Sequence, residues 1–151
     1  LHNLSKITPA EFIKAKKKFK NYDCEIVAKK FNIEFKFNDN FPINTLSLMR
    51  GALIVDTNKI KQYIEKFFDA YWAFNLNLSD NKITEKILTE LNIDIKKFFE
   101  NIKEQKIKDL LKKLTREAFD KEIFGAPTFI VNNKIFWGQD RLDYALTESK
   151  K

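Results

Sequence analysis

Cysteine, glycine, proline and histidine are all scarce in this chain of 151 residues, which holds one Cys, three Gly, three Pro and one His. The lone Cys24 excludes an internal disulfide and any Cys-x-x-Cys redox pair within this sequence. So few Gly and Pro disfavour an all-β sandwich with its many tight turns and favour helices. His2 stands alone near the terminus and reads as loop rather than general base, and no grouping of His, Cys and carboxylates has metal-ligand spacing. No apolar run reaches the roughly 18 residues that span a bilayer, and no signal-peptide core opens the chain. A cytoplasmic protein with no membrane partner is the resulting expectation. Leu1 stands where a reading frame would open with Met, so the sequence reads as incomplete at its N-terminus.

What the chain does have is a core's worth of apolar residues, 44% hydrophobic and 14% aromatic, with a formal net charge of +7. A folded domain, mostly α, follows. A basic excess is an electrostatic footprint that nucleic acid or an anionic surface could use. Here the lysines are spread along the chain among Glu and Asp, as on solvated helix faces, and the one dense run is Lys14, Lys16, Lys17, Lys18 and Lys20. No nucleic-acid reader motif accompanies them, so no nucleic-acid partner is expected. Cys24 reads as a small core residue, since nothing nearby in sequence would lower its thiol pKa.

Pro9 suits a first helical turn, and a helix is predicted from Pro9 to about Phe31, ended by Asn32. Its apolar positions Phe12, Ala15, Phe19, Tyr22, Ile26 and Val27 recur at three- and four-residue steps, predicting one buried face. Phe35, Phe37, Phe41 and Pro42 form an aromatic connector, after which Asn44 or Thr45 caps a helix carrying Leu46, Met49, Arg50 and Gly51. A helix from Thr57 to about Asn75 places Ile60, Ile64, Phe67, Phe68, Tyr71 and Trp72 on its apolar side. A short helix at Ile83 to Leu91 follows, Asp94 caps another, and a long one is expected from about Gln105 to Glu122. The period then drops to two. Thr128 to Val131 and Lys134 to Trp137 flank the turn dipeptide Asn132-Asn133, which predicts a hairpin, and a last helix carries Leu142, Ala145 and Leu146 inward.

Two blocks carry chemistry. The first, Ile123-Phe124-Gly125-Ala126-Pro127-Thr128, leads from a helix into the hairpin and resembles the thioredoxin-fold segment in which a cis-proline precedes a strand. A cis bond before Pro127 is implied by that resemblance, and would turn the Ala126 N–H and C=O outward to pair with a peptide-like ligand as an added strand. An ordinary proline opening an edge strand is the plainer alternative. The second block, Phe136-Trp137-Gly138-Gln139-Asp140-Arg141-Leu142, follows ten residues after Pro127. It resembles the signature of the 2-hydroxychromene-2-carboxylate isomerases and kappa-class glutathione transferases of the thioredoxin superfamily. A glycine there lets backbone approach a ligand, and Asp140 could accept from an ammonium group; Gln139 or Asp140 could instead cap the helix and Trp137 simply pack.

Shorter matches lie upstream. Phe41-Pro42-Ile43-Asn44-Thr45-Leu46 resembles a run before the family's arginine-containing helix, and Leu4-Ser5-Lys6-Ile7 resembles a loop whose lysine reaches the active site. The resemblance therefore offers Lys6, Asn44 and Arg50 as substrate-binding candidates, with Asn44 alternatively a cap and Arg50 alternatively the partner of a structural acid. Lys16, Phe19 and Asp23 sit where the family has a lysine, a tyrosine and an aspartate; Phe19 lacks the hydroxyl, and a solvated face is the better account of Lys16.

The resemblance implies an α/β, thioredoxin-like fold with a large all-α insertion, this chain being mostly α with one C-terminal β-hairpin and lacking the first βαβ segment. Residues 1–8 would be a loop of the thioredoxin half, 9–124 the helical insertion with its closing helix, and 125–151 the C-terminal ββα part. It implies glutathione as cofactor, bound through Ala126, Pro127, Trp137, Gly138, Gln139 and Asp140, with no catalytic residue in this chain and the nucleophile-position residue expected upstream of Leu1. The implied activity is a glutathione-dependent isomerisation of an unsaturated aromatic-derived carboxylate, a small-molecule substrate, with a homodimer left open. A kappa-class transferase, a DsbA-like thiol-disulfide oxidoreductase, a non-catalytic helical binding module and a basic nucleic-acid module are the alternatives.

Overall fold

The computed structural model describes Leu4 and residues 14–151. The chain divides into two compact units, residues 13–111 and residues 112–151 together with 1–12.

The first unit is helical. Helix α1 spans Lys14–Phe31, α2 Leu46–Ala52, α3 Ile60–Trp72, α4 Asn81–Glu90, α5 Ile95–Asn101, and α6 runs Gln105–Asp120 across the division. Side chains start several of these: Asp80 accepts from the Lys82 N–H, Asp94 from the Lys97 N–H at 2.9 Å, and Asn44 from the Leu46 N–H at 3.0 Å. Each satisfies a donor that the first helical turn leaves open. At the other ends, Asn32 and Asn92 take positive φ, and the residues after them bond back five positions, Ile33 to Ala28 and Ile93 to Leu88. That is a left-handed helix stop, which asparagine tolerates better than most residues.

Tyr63, Phe67, Ala70 and Tyr71 of α3 pack with Leu78, Ile87, Leu88, Leu91, Phe98 and Ile102 into the core of this unit. The buried face of α3 is thus turned from the one expected: Ile64 and Phe68 are 46% and 62% exposed, and Tyr63 and Ala70 are inside instead. Eight apolar residues crowd α3 at neighbouring angles, so periodicity alone could not choose the stripe; contact through Gly51 of α2 and Leu88 of α4 did. The expected face of α1 also fails to bury. Phe19, Tyr22 and Ile26 are exposed and only Ala28 is inside. The aromatic connector packs on α3 through Trp72, which lies 5.8 Å from Phe35, 5.6 Å from Phe37 and 5.8 Å from Phe41. Asn38, fully buried, pins it by donating to the carbonyls of Tyr71 and Leu76.

In the second unit, β1 (Thr128–Val131) and β2 (Lys134–Trp137) form the two-stranded antiparallel sheet, followed by a 3₁₀ turn at Gln139–Arg141 and α7, Leu142–Glu148. Ala145 and Glu148 of α7 are buried, while Leu142 and Leu146, expected inward, are 41% and 51% exposed. Glu148 ties the helix to the hairpin: it binds Lys134 at 2.8 Å and Lys151 at 3.0 Å, and its carbonyl accepts from the Asn132 amide. No helix among the described residues is long and apolar enough to cross a membrane.

Candidate functional site

The hairpin turn sets the geometry. Asn132 and Asn133 have φ of 48° and 61°, the paired left-handed conformation whose twist matches two antiparallel strands. It fixes the register as Thr128 opposite Trp137 and Val131 opposite Lys134. One step beyond the last pair, the Gly138 N–H donates to the Pro127 carbonyl at 3.0 Å, so glycine and proline lie side by side at the open end of the hairpin. Proline has no N–H to return the bond, and pairing stops there.

The Ala126–Pro127 peptide bond is cis. Among the described residues, no hydrogen bond uses the N–H or C=O of Ala126. The loop carrying this exposed peptide edge is braced by Thr128, whose hydroxyl donates to the Gly125 carbonyl at 2.6 Å. Phe124 and Trp137 pack with ring centroids 5.1 Å apart, and a Cβ on Gly125 would collide with the Trp137 indole nitrogen. Trp137 remains 52% exposed, so it forms a side wall rather than a buried anchor. A second cis bond, Phe41–Pro42, lies in the aromatic connector; nothing in the sequence reading anticipated it.

Gly138 has φ of 105°, a region L side chains rarely enter, and a Cβ there would lie 2.5 Å from Asp140 Oδ1. The bare glycine lets the Asp140 carboxylate fold back over the backbone. Arg141 Nη1 contacts Asp140 Oδ2 at 3.0 Å, with both side chains more than half exposed, and the guanidinium lies 5.6 Å from the Tyr144 ring centroid. Gln139 is exposed and its carbonyl accepts the Leu142 N–H. An open peptide edge, a carboxylate and a cation therefore stand within a few residues of Gly138. Such a corner suits a ligand carrying both a peptide backbone and charged ends.

The structure brings Ala126, Pro127, Trp137, Gly138, Gln139 and Asp140 together in residues 112–151, whereas Asn44 and Arg50 belong to residues 13–111. The Asn44 Oδ1 accepts the Leu46 N–H from one residue ahead of Thr45, the N-cap position of α2. The Arg50 Nε is buried with no hydrogen-bond partner among the described residues, and no acid pairs with it there. Lys6 lies outside the described residues. Burial, and then the neighbouring Asp23, push the Cys24 thiol above its ordinary range, the opposite of what an attacking thiol needs. The described residues contain no group of three or more His, Cys, Asp or Glu that could hold a metal ion. Thr128 and Arg141 are participants that sequence reasoning left without a role; each sits inside a motif already singled out, so position was legible but partnership was not.

The DSBA-like thioredoxin domain family matches residues 2–148. The 2-hydroxychromene-2-carboxylate isomerase of Sphingobium xenophagum is 22% identical over 123 residues, covering 81% of this chain and 62% of that protein. The chain thus spans about three-fifths of the length of that curated relative. A solved structure of selenomethionine 2-hydroxychromene-2-carboxylate isomerase superposes with a TM-score of 0.86 at 19% identity, covering 96% of this chain and 71% of the other. At that identity the likeness speaks for the fold.

Proposed function

The chain belongs to the DSBA-like thioredoxin domain family, and on that premise we propose that it binds glutathione at the Pro127–Asp140 corner and serves isomerisation of an unsaturated, aromatic-derived carboxylate. The observation carrying the binding half is the unpaired Ala126 peptide edge beside Gly138. The substrate half is supported by the relative's activity as named above.

The residues fit the cofactor. Ala126, in the bend just before β1, offers one N–H and one C=O, the pair a tripeptide backbone uses when it adds alongside an edge. Asp140 is an exposed carboxylate held against Gly138, positioned to accept from an ammonium group. Trp137 walls the corner. When bound, glutathione supplies a thiol whose thiolate adds reversibly to an electron-poor double bond and leaves unchanged, so that the bond between can rotate. The residues of this corner bind and orient; none of them is assigned the activation of the thiol.

The test is Asp140→Asn. Asn keeps size and turn-forming ability but removes the charge, and charge-assisted hydrogen bonds contribute roughly 1.5–3 kcal/mol. Calorimetric titration with glutathione should show affinity falling about tenfold or more, with the melting temperature nearly unchanged. Equal affinities for the two proteins would defeat the assignment and leave Asp140 a structural residue.

A family alternative, thiol-disulfide exchange, is favoured by no residue here, since the one cysteine is the raised-pKa Cys24 on α1.

A further inference from the structure

Within residues 13–111, a cleft of about 220 Å³ opens where the start of α2, the loop before α4 and the helix α5 meet. It is smaller than the sites that take drug-sized ligands, which limits an occupant to about one ring. Leu78, Thr84 and Phe98, all buried, make its floor, and Phe99 packs edge-on to Phe98 with ring centroids 5.6 Å apart. Asn44, Ser47, Ser79 and Asn81, all exposed, make its rim, and no charged side chain lines it. Its polar groups are largely unused. Among the described residues no hydrogen bond engages the hydroxyls of Ser47, Ser79 and Thr84 or the Asn81 carboxamide, and only the Oδ1 of Asn44 is taken, by the Leu46 N–H. Rim groups can turn to water, but Thr84 is only 4% exposed. The polar atoms both sealed and unpartnered among the described residues are Asn21 Oδ1, Arg50 Nε and the Tyr71 hydroxyl. The Thr84 oxygen is not one of them, so the little surface Thr84 keeps open includes its hydroxyl, and that surface lies on this cleft. A buried hydroxyl is costly to leave unmatched, and this one waits for a partner arriving through the cleft.

We propose that this cleft binds a neutral polyhydroxylated ring, the chemistry of a monosaccharide or a cyclitol, with the Thr84 hydroxyl bonding one ring hydroxyl at the floor. Hydroxyls donate and accept at once, and so do the Ser, Thr and Asn side chains that meet them here. The C–H face of such a ring is apolar and suits the phenyl rings of Phe98 and Phe99. A charged ligand is disfavoured because the lining offers no opposite charge to offset its desolvation. A purely apolar one would leave Thr84 unmatched and strip water from the rim. The site lies wholly within residues 13–111. It does not depend on the glutathione reading, whose residues belong to the other unit.

Backbone amide resonances can follow titration with D-glucose and myo-inositol, with cyclohexanol, which keeps a ring and one hydroxyl, and with D-glucuronate, which adds a charge. Saturable shifts centred on Ser47, Ser79, Asn81 and Thr84 are expected for at least one of the two polyols. That polyol should bind at least about fivefold tighter than cyclohexanol or glucuronate, a ratio in the range of one net hydrogen bond. Thr84→Val keeps the side-chain shape and removes the hydroxyl, so polyol affinity should fall about fivefold while the melting temperature stays level or rises. Ser47→Ala, on the exposed rim, should weaken binding about twofold or more. Asp140→Asn should leave polyol binding unchanged, which keeps this result separate from the glutathione titration. The proposal is overturned if neither polyol gives saturable shifts, which would make this a hydrated cleft only, or if cyclohexanol or glucuronate binds as tightly. It is equally overturned by an unaltered affinity in folded Thr84→Val protein or, should that variant not fold, in Ser47→Ala.

Discussion

Single atoms decide several positions in this molecule. Gly51 lies inside α2, where glycine is a weak helix former, because a Cβ there would strike the Tyr63 hydroxyl and come within 2.5 Å of the Phe98 ring. Both rings belong to the buried core, so neither can swing into water. Gly51→Ala should therefore destabilise the protein by about 1–3 kcal/mol despite the better helix propensity of alanine, the usual cost of overpacking; urea melts of the two proteins measure it. Glu148 gives a pH-dependent case. Hydrogen bonds from Lys134 and then Lys151 lower its carboxyl to about 2, from an ordinary value near 4.5. A depressed acid contributes stability above its unfolded pKa and loses it as pH falls through the folded one. The contribution should be complete above about pH 5 and should disappear between about pH 4.5 and 2. Thermal melts of Glu148→Gln should run below wild type at pH 6 and converge with it near pH 2.

At the scale of elements, how each segment stops matters as much as how it starts. Asn32, Asn92 and Glu122 occupy equivalent left-handed positions after α1, α4 and α6, and each is followed by a residue bonding back five positions, Ile123 to Ala118 in the last case. Asparagine is at home there. Glutamate is not: at φ of 61° its Cβ crowds the neighbouring carbonyl. Glu122→Gly should raise stability by about 1 kcal/mol even though glycine loosens the unfolded chain, and Asn92→Ala should lower it by a comparable amount. Chemical denaturation of both variants checks the pair, and equal and opposite signs are the outcome that supports the cap geometry.

Over the whole molecule, the well-packed core belongs to residues 13–111, centred on Leu88, which has no exposed surface. Leu88→Ala should cost about 2–5 kcal/mol, and a denaturation curve read at Trp72, packed on that core, should shift accordingly. The hairpin has a different character. One face, with Phe129, Val131 and Phe136, is partly covered, while Ile130, Ile135 and Trp137 on the other remain 37–52% exposed. Mutations on that second face should therefore change stability much less than Leu88→Ala does.

Helix existence, the hairpin with its Asn132-Asn133 turn, the Asn44 bond to the start of α2 and the cap at Asp94 were all determined by the sequence itself, because each rests on contacts within a few residues: a period, a turn dihedral, one side-chain oxygen reaching one N–H. The two blocks around Pro127 and Gly138 stood out through their resemblance to a known family, and the hairpin register brings them together at the Gly138–Pro127 bond. What required the tertiary structure was every choice among equivalent local options. Which side of α3 is inside, whether Phe19 and Tyr22 of α1 find anything to pack against, and why Gly51 must lack a side chain all depend on residues distant in sequence. The pairing of Arg141 with Asp140 and the unmatched hydroxyl of Tyr71 likewise carry no signature in the order of residues. Hydrophobic burial is non-directional, so an apolar residue encodes only that it should leave water; the neighbours it meets are settled when the elements pack.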